Sequence, residues 1–264
     1  MATTRVSDLR RPHASLLQRT LDLLFPPRCI HCGQTGEPLC AACFSELRAP
    51  PAPRCERCDQ PLGAHAGPYC APCRELARQA QAPALDRIVI GTRYEGAARS
   101  AIHALKYRGQ RRLAAPLAYR LAEAALRAGA QVDVIIPMPL HVARRRERGY
   151  NQAALLARPL ARALGAPVNE RALVRIRATQ PQTRLNHVDR RANVAGAFAL
   201  ANSAARTLAG RRIALVDDVT TTGATLEAAA EALLAARPAA IYALAVARPI
   251  HDGAWPAGSL TPNR

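Results

Sequence analysis

Lysine is almost missing from this chain of 264 residues: Lys106 is the single one, against 36 arginines. Aromatic residues are scarce, with three Phe, six Tyr and one Trp. With so few, base stacking in any nucleic-acid contact would be sparse and binding would be electrostatic. Acidic residues number 19 against 37 basic ones, too few to balance the charge, so the chain as a whole invites an acidic partner. No run is long and apolar enough to cross a bilayer. The stretch Leu21–Phe25 is short and contains Asp22, so no secretory signal is read and a reducing cytosol is the expected compartment. Beyond residue 73 cysteine is absent altogether.

What is present follows from those gaps. The formal charge is +18, which favours phosphate or nucleic acid as a partner. The alanine and arginine bias of a GC-rich coding background inflates that number. The excess is concentrated between His141 and Arg191, where twelve arginines face three acids. An apolar share of 49% supports a real core.

All eight cysteines lie in four C-x-x-C pairs: Cys29/Cys32, Cys40/Cys43, Cys55/Cys58 and Cys70/Cys73. Two such pairs complete a tetrahedral thiolate shell, so the eight supply two closed, structural zinc sites. A disulfide scaffold fits the expected compartment less well. Sequential pairing is the simplest arrangement, and a crossed one remains open. His31 and His65 are alternative ligands that four thiolates make unnecessary. The repeat reads as two small ribbons separated by Pro50, Pro51 and Pro53, too small to fold without metal. Leu16, Leu17, Thr20, Leu21 and Leu24 predict a helix before the first ribbon.

A helical linker near Arg74–Ala82 leads into alternating strands and helices. Strands are expected at Ile88–Thr92, Asp133–Ile136, Ile213–Val216 and Ile241–Ala247, with weaker ones at Ala172–Ile176 and Ala197–Leu200. Helices are expected at Ala97–Tyr107, 113–128, Asn151–Leu164 (capped by Gly165) and Thr225–Ala236. The alternation predicts an α/β fold with a parallel sheet covered on both faces. The domain organisation is therefore a double zinc ribbon over 15–80, a sheet domain over 81–250 and a loose tail over 251–264.

The segment Ile213-Ala-Leu-Val-Asp-Asp-Val-Thr-Thr-Thr-Gly-Ala-Thr225 carries most of the functional signal. A buried strand ends in two carboxylates, and a loop of small hydroxyl residues opens into a helix. Loop amides and a helix N-terminus hold phosphate, and paired carboxylates accept hydrogen bonds from vicinal ribose hydroxyls. The lone Lys106, after an amphipathic helix and before Gly109, is a second candidate for reaching a phosphate. His103, His141 and His187 show no pairing pattern.

The 213–225 stretch resembles the phosphoribosyl-diphosphate signature of type I phosphoribosyltransferases. The C-x-x-C ribbons narrow the resemblance to the competence protein F (ComF) family. So do Leu105-Lys106-Tyr107-x-Gly109, Pro137-x-Pro139-Leu140, Arg148-Gly149-Tyr150-Asn151-Gln152, Gln180, and Arg190-x-x-Asn193-Val194-x-Gly196-x-Phe198. Tyr150 stands where the family often has phenylalanine. The resemblance runs from about Leu21 to Arg248 and implies a type I phosphoribosyltransferase-like fold. It implies a site for phosphoribosyl diphosphate, with Asp217 and Asp218 on the ribose hydroxyls. Thr220, Thr221, Thr222, Gly223, Ala224 and Thr225 would surround the 5′-phosphate. Pro137, Met138, Pro139 and Arg148, with Lys106, would line the diphosphate side. Magnesium would accompany the substrate. Residues 177–194 resemble a lid, with Arg177, Gln180 and Arg190 as contacts and Arg190 grouped with the two aspartates as catalytic.

The implied activity is phosphoribosyl (pentosyl) transfer by a glycosyltransferase whose acceptor the sequence does not name. The implied role is DNA uptake in natural competence, or use of imported DNA. Single-stranded DNA and the uptake machinery are the implied partners. Two other classes stay open: a nucleic-acid-binding adaptor, and a regulator that keeps the sugar-phosphate pocket without turnover.

Overall fold

The computed structural model describes residues 22, 24–63, 67–78, 83–177 and 193–250. Near-continuous burial along four apolar segments marks a sheet covered on both faces. β1 (Arg87–Arg93), β2 (Val134–Pro137), β5 (Arg212–Val219) and β6 (Ala240–Arg248) form one parallel sheet in the order β1-β6-β5-β2. Val89, Ile135, Ala214, Val216, Leu244 and Val246 point to one face. There they meet α3 (Gly96–Tyr107), α4 (Ala114–Arg127) and α6 (Gln152–Leu164). Ile90, Ile136, Ile213, Leu215, Ala243 and Ala245 point to the other face and pack with α8 (Ala224–Leu233). A small antiparallel pair, β3 (Leu173–Arg175) and β4 (Phe198–Leu200), and the single turn α7 (Ala205–Leu208) complete that second layer.

The elements expected from periodicity are found close to their predicted bounds. Asn151 starts α6 by accepting the Ala153 N–H on Oδ1 at 3.0 Å, and Gly165, at φ +67, ends it. One element differs in kind. The arginine-rich stretch after Pro137–Leu140 is a helix, α5 (Val142–Arg148), closed by Gly149 at φ 76. It buries no residue, so no apolar stripe announced it. β5 also runs further than expected: it carries Asp217 and Asp218 within the ladder, with Asp217 opposite Ala245.

Close packing of α4 on β1 depends on Gly91. A Cβ there would lie 2.9 Å from the Val246 carbonyl oxygen and 3.3 Å from Leu121 Cα.

The N-terminal segment folds as two ribbons, with α1 (Ala41–Ser45) in the first and α2 (Ala71–Arg78) following the second. The first packs on the α3–α4 layer through Leu39, Phe44 and Leu47, with the Phe44 and Tyr119 rings edge to face at 5.5 Å. Both cover the outer edge of β1, which would otherwise expose unpaired backbone groups. The Arg57 carbonyl accepts the Ile88 N–H at 2.7 Å and the Arg48 carbonyl accepts the Arg93 N–H at 2.9 Å. Between them, Asp59 Oδ2 accepts the Ile90 N–H at 2.8 Å. Of the helix expected around Leu16–Leu24, only Asp22 and Leu24 fall among the described residues, and both are helical.

Candidate functional site

The two cysteine clusters come first, because their geometry is the simplest. Cys29, Cys32, Cys40 and Cys43 form one group, and Cys55, Cys58, Cys70 and Cys73 the other. The four sulfurs of each group lie within 4.8 Å of one another. Cys32 and Cys40 Sγ are 3.6 Å apart, as are Cys58 and Cys70 Sγ. A Zn–S bond of about 2.3 Å in a tetrahedron requires sulfur separations of about 3.8 Å. Pairing is thus sequential, and the crossed alternative is excluded. The all-thiolate donor sets suit zinc, with no position left for a substrate. His31 is not a ligand: its Nδ1 faces Ser100 Oγ at 3.1 Å.

At the C-terminal end of β5 the chain presents its acidic pair. Asp218 is 2% exposed, and its Oδ2 lies 3.0 Å from Lys106 Nζ on the last turn of α3. Burial opposes the lysine's charge, but Asp218 and then Asp217 hold the ammonium above its usual range. Asp217, half-buried, accepts the Asp218 N–H on Oδ1 at 2.8 Å. Its carboxyl is pushed up to about 8, first by burial and second by the negative neighbour Asp218. The half-buried guanidinium of Arg175, on β3, feels the charge of Asp217, and Arg144 and Arg177 lie within electrostatic reach of it.

The loop after β5 starts with Thr220, whose N–H is bonded to the Ala247 carbonyl at 3.1 Å. It passes through Thr221 and Thr222 to Gly223, the N-cap of α8, at φ 85. Only glycine takes that conformation without strain, and a Cβ would also press on Ile88 Cδ1 at 3.0 Å. Thr222 Oγ1 accepts the Ala224 N–H at 3.2 Å. Ala224 and Thr225 form the first turn of the helix, where the dipole favours an anion.

Beside this loop, β2 ends at Pro137. Met138 is a core residue, 5% exposed, with its N–H on the Val216 carbonyl at 2.9 Å and its carbonyl taken by Asn151 Nδ2 at 3.0 Å. It therefore positions the Pro137–Leu140 turn through packing. Arg148 lies over the Tyr107 ring at 5.2 Å and bonds Gln152. Tyr150 donates its hydroxyl to the Leu105 carbonyl and stacks under Arg111 at 4.6 Å. These contacts tie the end of α3, hence Lys106, to the start of α6. In the sequence, Tyr150 stands out only as a departure from the family pattern, with no contact given to it, and Arg175, an arginine inside a predicted strand, goes unremarked.

Lys106, Asp217, Asp218 and residues 220–225 thus gather at one corner of the sheet, with Pro137–Pro139 on the neighbouring strand end. Arg190, Gln180, His65 and His187 lie outside the described residues.

The family model "Double zinc ribbon domain" matches residues 20–74, and "Phosphoribosyl transferase domain" matches residues 150–256. The chain is 36% identical to competence protein F of Haemophilus influenzae over 211 residues, covering 75% of this chain and 87% of that protein. It is 31% identical to DNA utilization protein YhgH of Escherichia coli K12 over 215 residues, covering 80% and 90%. Competence protein ComFC of Bacillus subtilis is 30% identical over 204 residues, covering 75% and 78%.

Proposed function

The chain belongs to the competence protein F family, and from that premise we propose that its sheet corner binds 5-phosphoribosyl 1-diphosphate together with magnesium. The observation that carries the reading is the convergence of Lys106 and Asp218, 3.0 Å apart, on a strand end that feeds a Gly223-led helix. The loop amides and hydroxyls of residues 221–225 hold the 5′-phosphate. Asp217 and Asp218 accept the ribose hydroxyls. Lys106 balances the buried Asp218 and reaches the diphosphate side, which the Pro137–Leu140 turn and Arg148 border.

The carboxylates of Asp217 and Asp218 are hard oxygen donors, the chemistry magnesium selects. The ion supplies neutralisation of the leaving diphosphate. Around it, the chain's residues stabilise charge as the anomeric bond weakens and keep water from the sugar. The activity is phosphoribosyl transfer, and the biological setting is uptake or use of DNA, as the names of the relatives indicate for those proteins. Isothermal titration of the zinc-loaded protein with phosphoribosyl diphosphate tests the reading. Binding that requires magnesium is expected; no heat at millimolar ligand rejects it.

One observation favours a second, compatible reading. Arg144, Arg145 and Arg146 on α5 are all exposed. They suit the backbone of a single-stranded nucleic acid, bound electrostatically. Fluorescence anisotropy with an oligonucleotide is expected to show affinity falling steeply with salt. Absence of a complex at low salt would exclude it.

A further inference from the structure

The turn from Cys55 to Asp59 brings two sulfurs to the second cluster, and the Asp59 N–H closes it on the Cys55 carbonyl at 2.9 Å. The same turn grips two strands of the sheet. The Arg57 carbonyl accepts the Ile88 N–H at 2.7 Å and Asp59 Oδ2 accepts the Ile90 N–H at 2.8 Å, both on β1. The Cys58 carbonyl accepts from Nη1 of Arg248, the last residue of β6, which is 1% exposed.

Both ends of the phosphate loop rest on the residues so gripped. At its start, the Thr220 N–H is bonded to the Ala247 carbonyl at 3.1 Å, one residue before Arg248. At its end, Gly223 faces Ile88 so closely that a Cβ would lie 3.0 Å from Cδ1. Cys58, Cys70 and Cys73 line one narrow crevice with Thr222, Gly223 and Ala224. The first ribbon sits elsewhere: its Arg48 carbonyl takes the Thr92 hydroxyl and the Arg93 N–H, and it packs on α3 and α4.

Arg248 has an electrostatic part as well. A four-thiolate zinc shell is net negative and would repel a phosphate held nearby. The Cys58 and Cys70 sulfurs and the Asp59 carboxylate lie within electrostatic reach of the Arg248 guanidinium. Its charge offsets the shell at a depth where salt screens little.

We propose that the second ribbon is a positioning part of the phosphate site, acting through Ile88 and Arg248, so that zinc held by Cys55, Cys58, Cys70 and Cys73 and a phosphorylated sugar at residues 220–225 strengthen each other's binding. The identity of the sugar rests on the proposed function; the tie between the zinc turn and the loop does not. Such coupling is reciprocal: the factor by which zinc tightens the sugar ligand is the factor by which the ligand tightens zinc.

The test uses the full-length, zinc-loaded protein. N-ethylmaleimide alkylates the cysteines as zinc leaves, and peptide mass spectrometry reads the two clusters separately. Saturating phosphoribosyl diphosphate with magnesium is expected to slow alkylation of Cys55, Cys58, Cys70 and Cys73 about fivefold or more, and to leave Cys29, Cys32, Cys40 and Cys43 nearly unchanged. Ile88→Val removes Cδ1, the atom facing Gly223, and keeps the backbone bond to Arg57. It should still bind the ligand yet lose most of the slowing. Arg248→Met should weaken the ligand by about the same factor, with part of the loss regained in Arg248→Lys, which restores the charge. Slowing that is equal in both clusters, that survives Ile88→Val, or that is missing while calorimetry shows the ligand bound overturns the proposal.

Another readout needs no sugar. Cys70→Ser, which empties the second cluster, should raise hydrogen exchange at the Thr220 and Ala224 amides, and Cys40→Ser, which empties the first, should not. Should either variant unfold, Ile88→Val takes its place and is expected to raise exchange at the same two amides. If phosphoribosyl diphosphate fails to bind, the proposed function falls and exchange alone decides the coupling. Unchanged exchange at Thr220 and Ala224, or equal exchange in the two cysteine variants, overturns it.

Discussion

The single lysine of the chain, Lys106, is spent on a carboxylate: its Nζ lies 3.0 Å from Asp218 Oδ2, with side-chain exposures of 20% and 3%. A pair this buried is vulnerable to one-sided change, because removing one partner strands the other charge. Lys106→Met is expected to destabilise the protein by about 3 kcal/mol. The double variant with Asp218→Asn should recover most of that loss, since no orphan charge remains. Binding of phosphoribosyl diphosphate should not recover. Chemical denaturation and titration calorimetry on the same samples separate the two effects. A double variant that regains affinity would show that the pair serves stability alone.

Gly223→Ala probes the loop conformation. Its φ of 85 puts a side chain in the left-handed region, and the added Cβ meets Ile88 Cδ1 at 3.0 Å. A loss of about 1–3 kcal/mol is expected, with affinity for phosphoribosyl diphosphate reduced at least tenfold. Adding Ile88→Val relieves the contact but not the backbone strain, so only part of the stability should return. Full recovery of binding by the second change would place the effect in the contact rather than in the loop's conformation.

How much of this was legible beforehand depends on the range of the interaction. Strand, acidic pair, threonine loop and helix are local, and spacing revealed all of them in order. The cysteine pairs were equally plain, because a two-residue gap is enough to aim two sulfurs at one ion. The sheet's covered faces followed from near-continuous apolar runs such as Ile213–Val216. Long-range polar contacts left no pattern. Nothing near Asp59 says that its carboxylate completes the edge of β1, and nothing near Arg248 says that a guanidinium at the end of β6 is 1% exposed. The helix α5 was missed for a different reason: it packs no apolar face, and periodicity reports only faces that are buried.

Removing zinc tests how far the sheet relies on its ribbons. The Arg57 and Arg48 carbonyls and the Asp59 carboxylate satisfy the outer edge of β1, and each depends on a ribbon held by four thiolates. A strong chelator is therefore expected to loosen β1 as well as the ribbons. Hydrogen exchange should show Ile88, Ile90 and Arg93 losing protection together, while Ile213–Val216 in the central β5 stays protected longest. Asp59→Ala removes this contact together with the Arg54 ion pair at 3.2 Å: it leaves the buried Ile90 N–H unpaired and should cost about 1–3 kcal/mol with zinc still bound. Unchanged exchange in β1 after zinc removal would mean that the sheet needs no such cover.

Asp217 gives the site a pH dependence whose sign is fixed by its environment. Burial and the adjacent Asp218 push its carboxyl up to about 8, above the ordinary carboxylate range. A raised native value stabilises the fold where the carboxyl is protonated, fully below its unfolded-state value near 4, and that contribution is lost as pH rises towards 8. In the ligand-free protein, Asp217→Asn should therefore raise the melting temperature at pH 8.5 more than at pH 6. Bound magnesium and sugar diphosphate favour the ionised carboxylate, so their affinity is expected to climb with pH and level off above about 8. Titrations in two buffers of different ionisation enthalpy should show a proton released on binding at pH 7 and none in Asp217→Asn. Equal proton release in both proteins would assign the titration to another group.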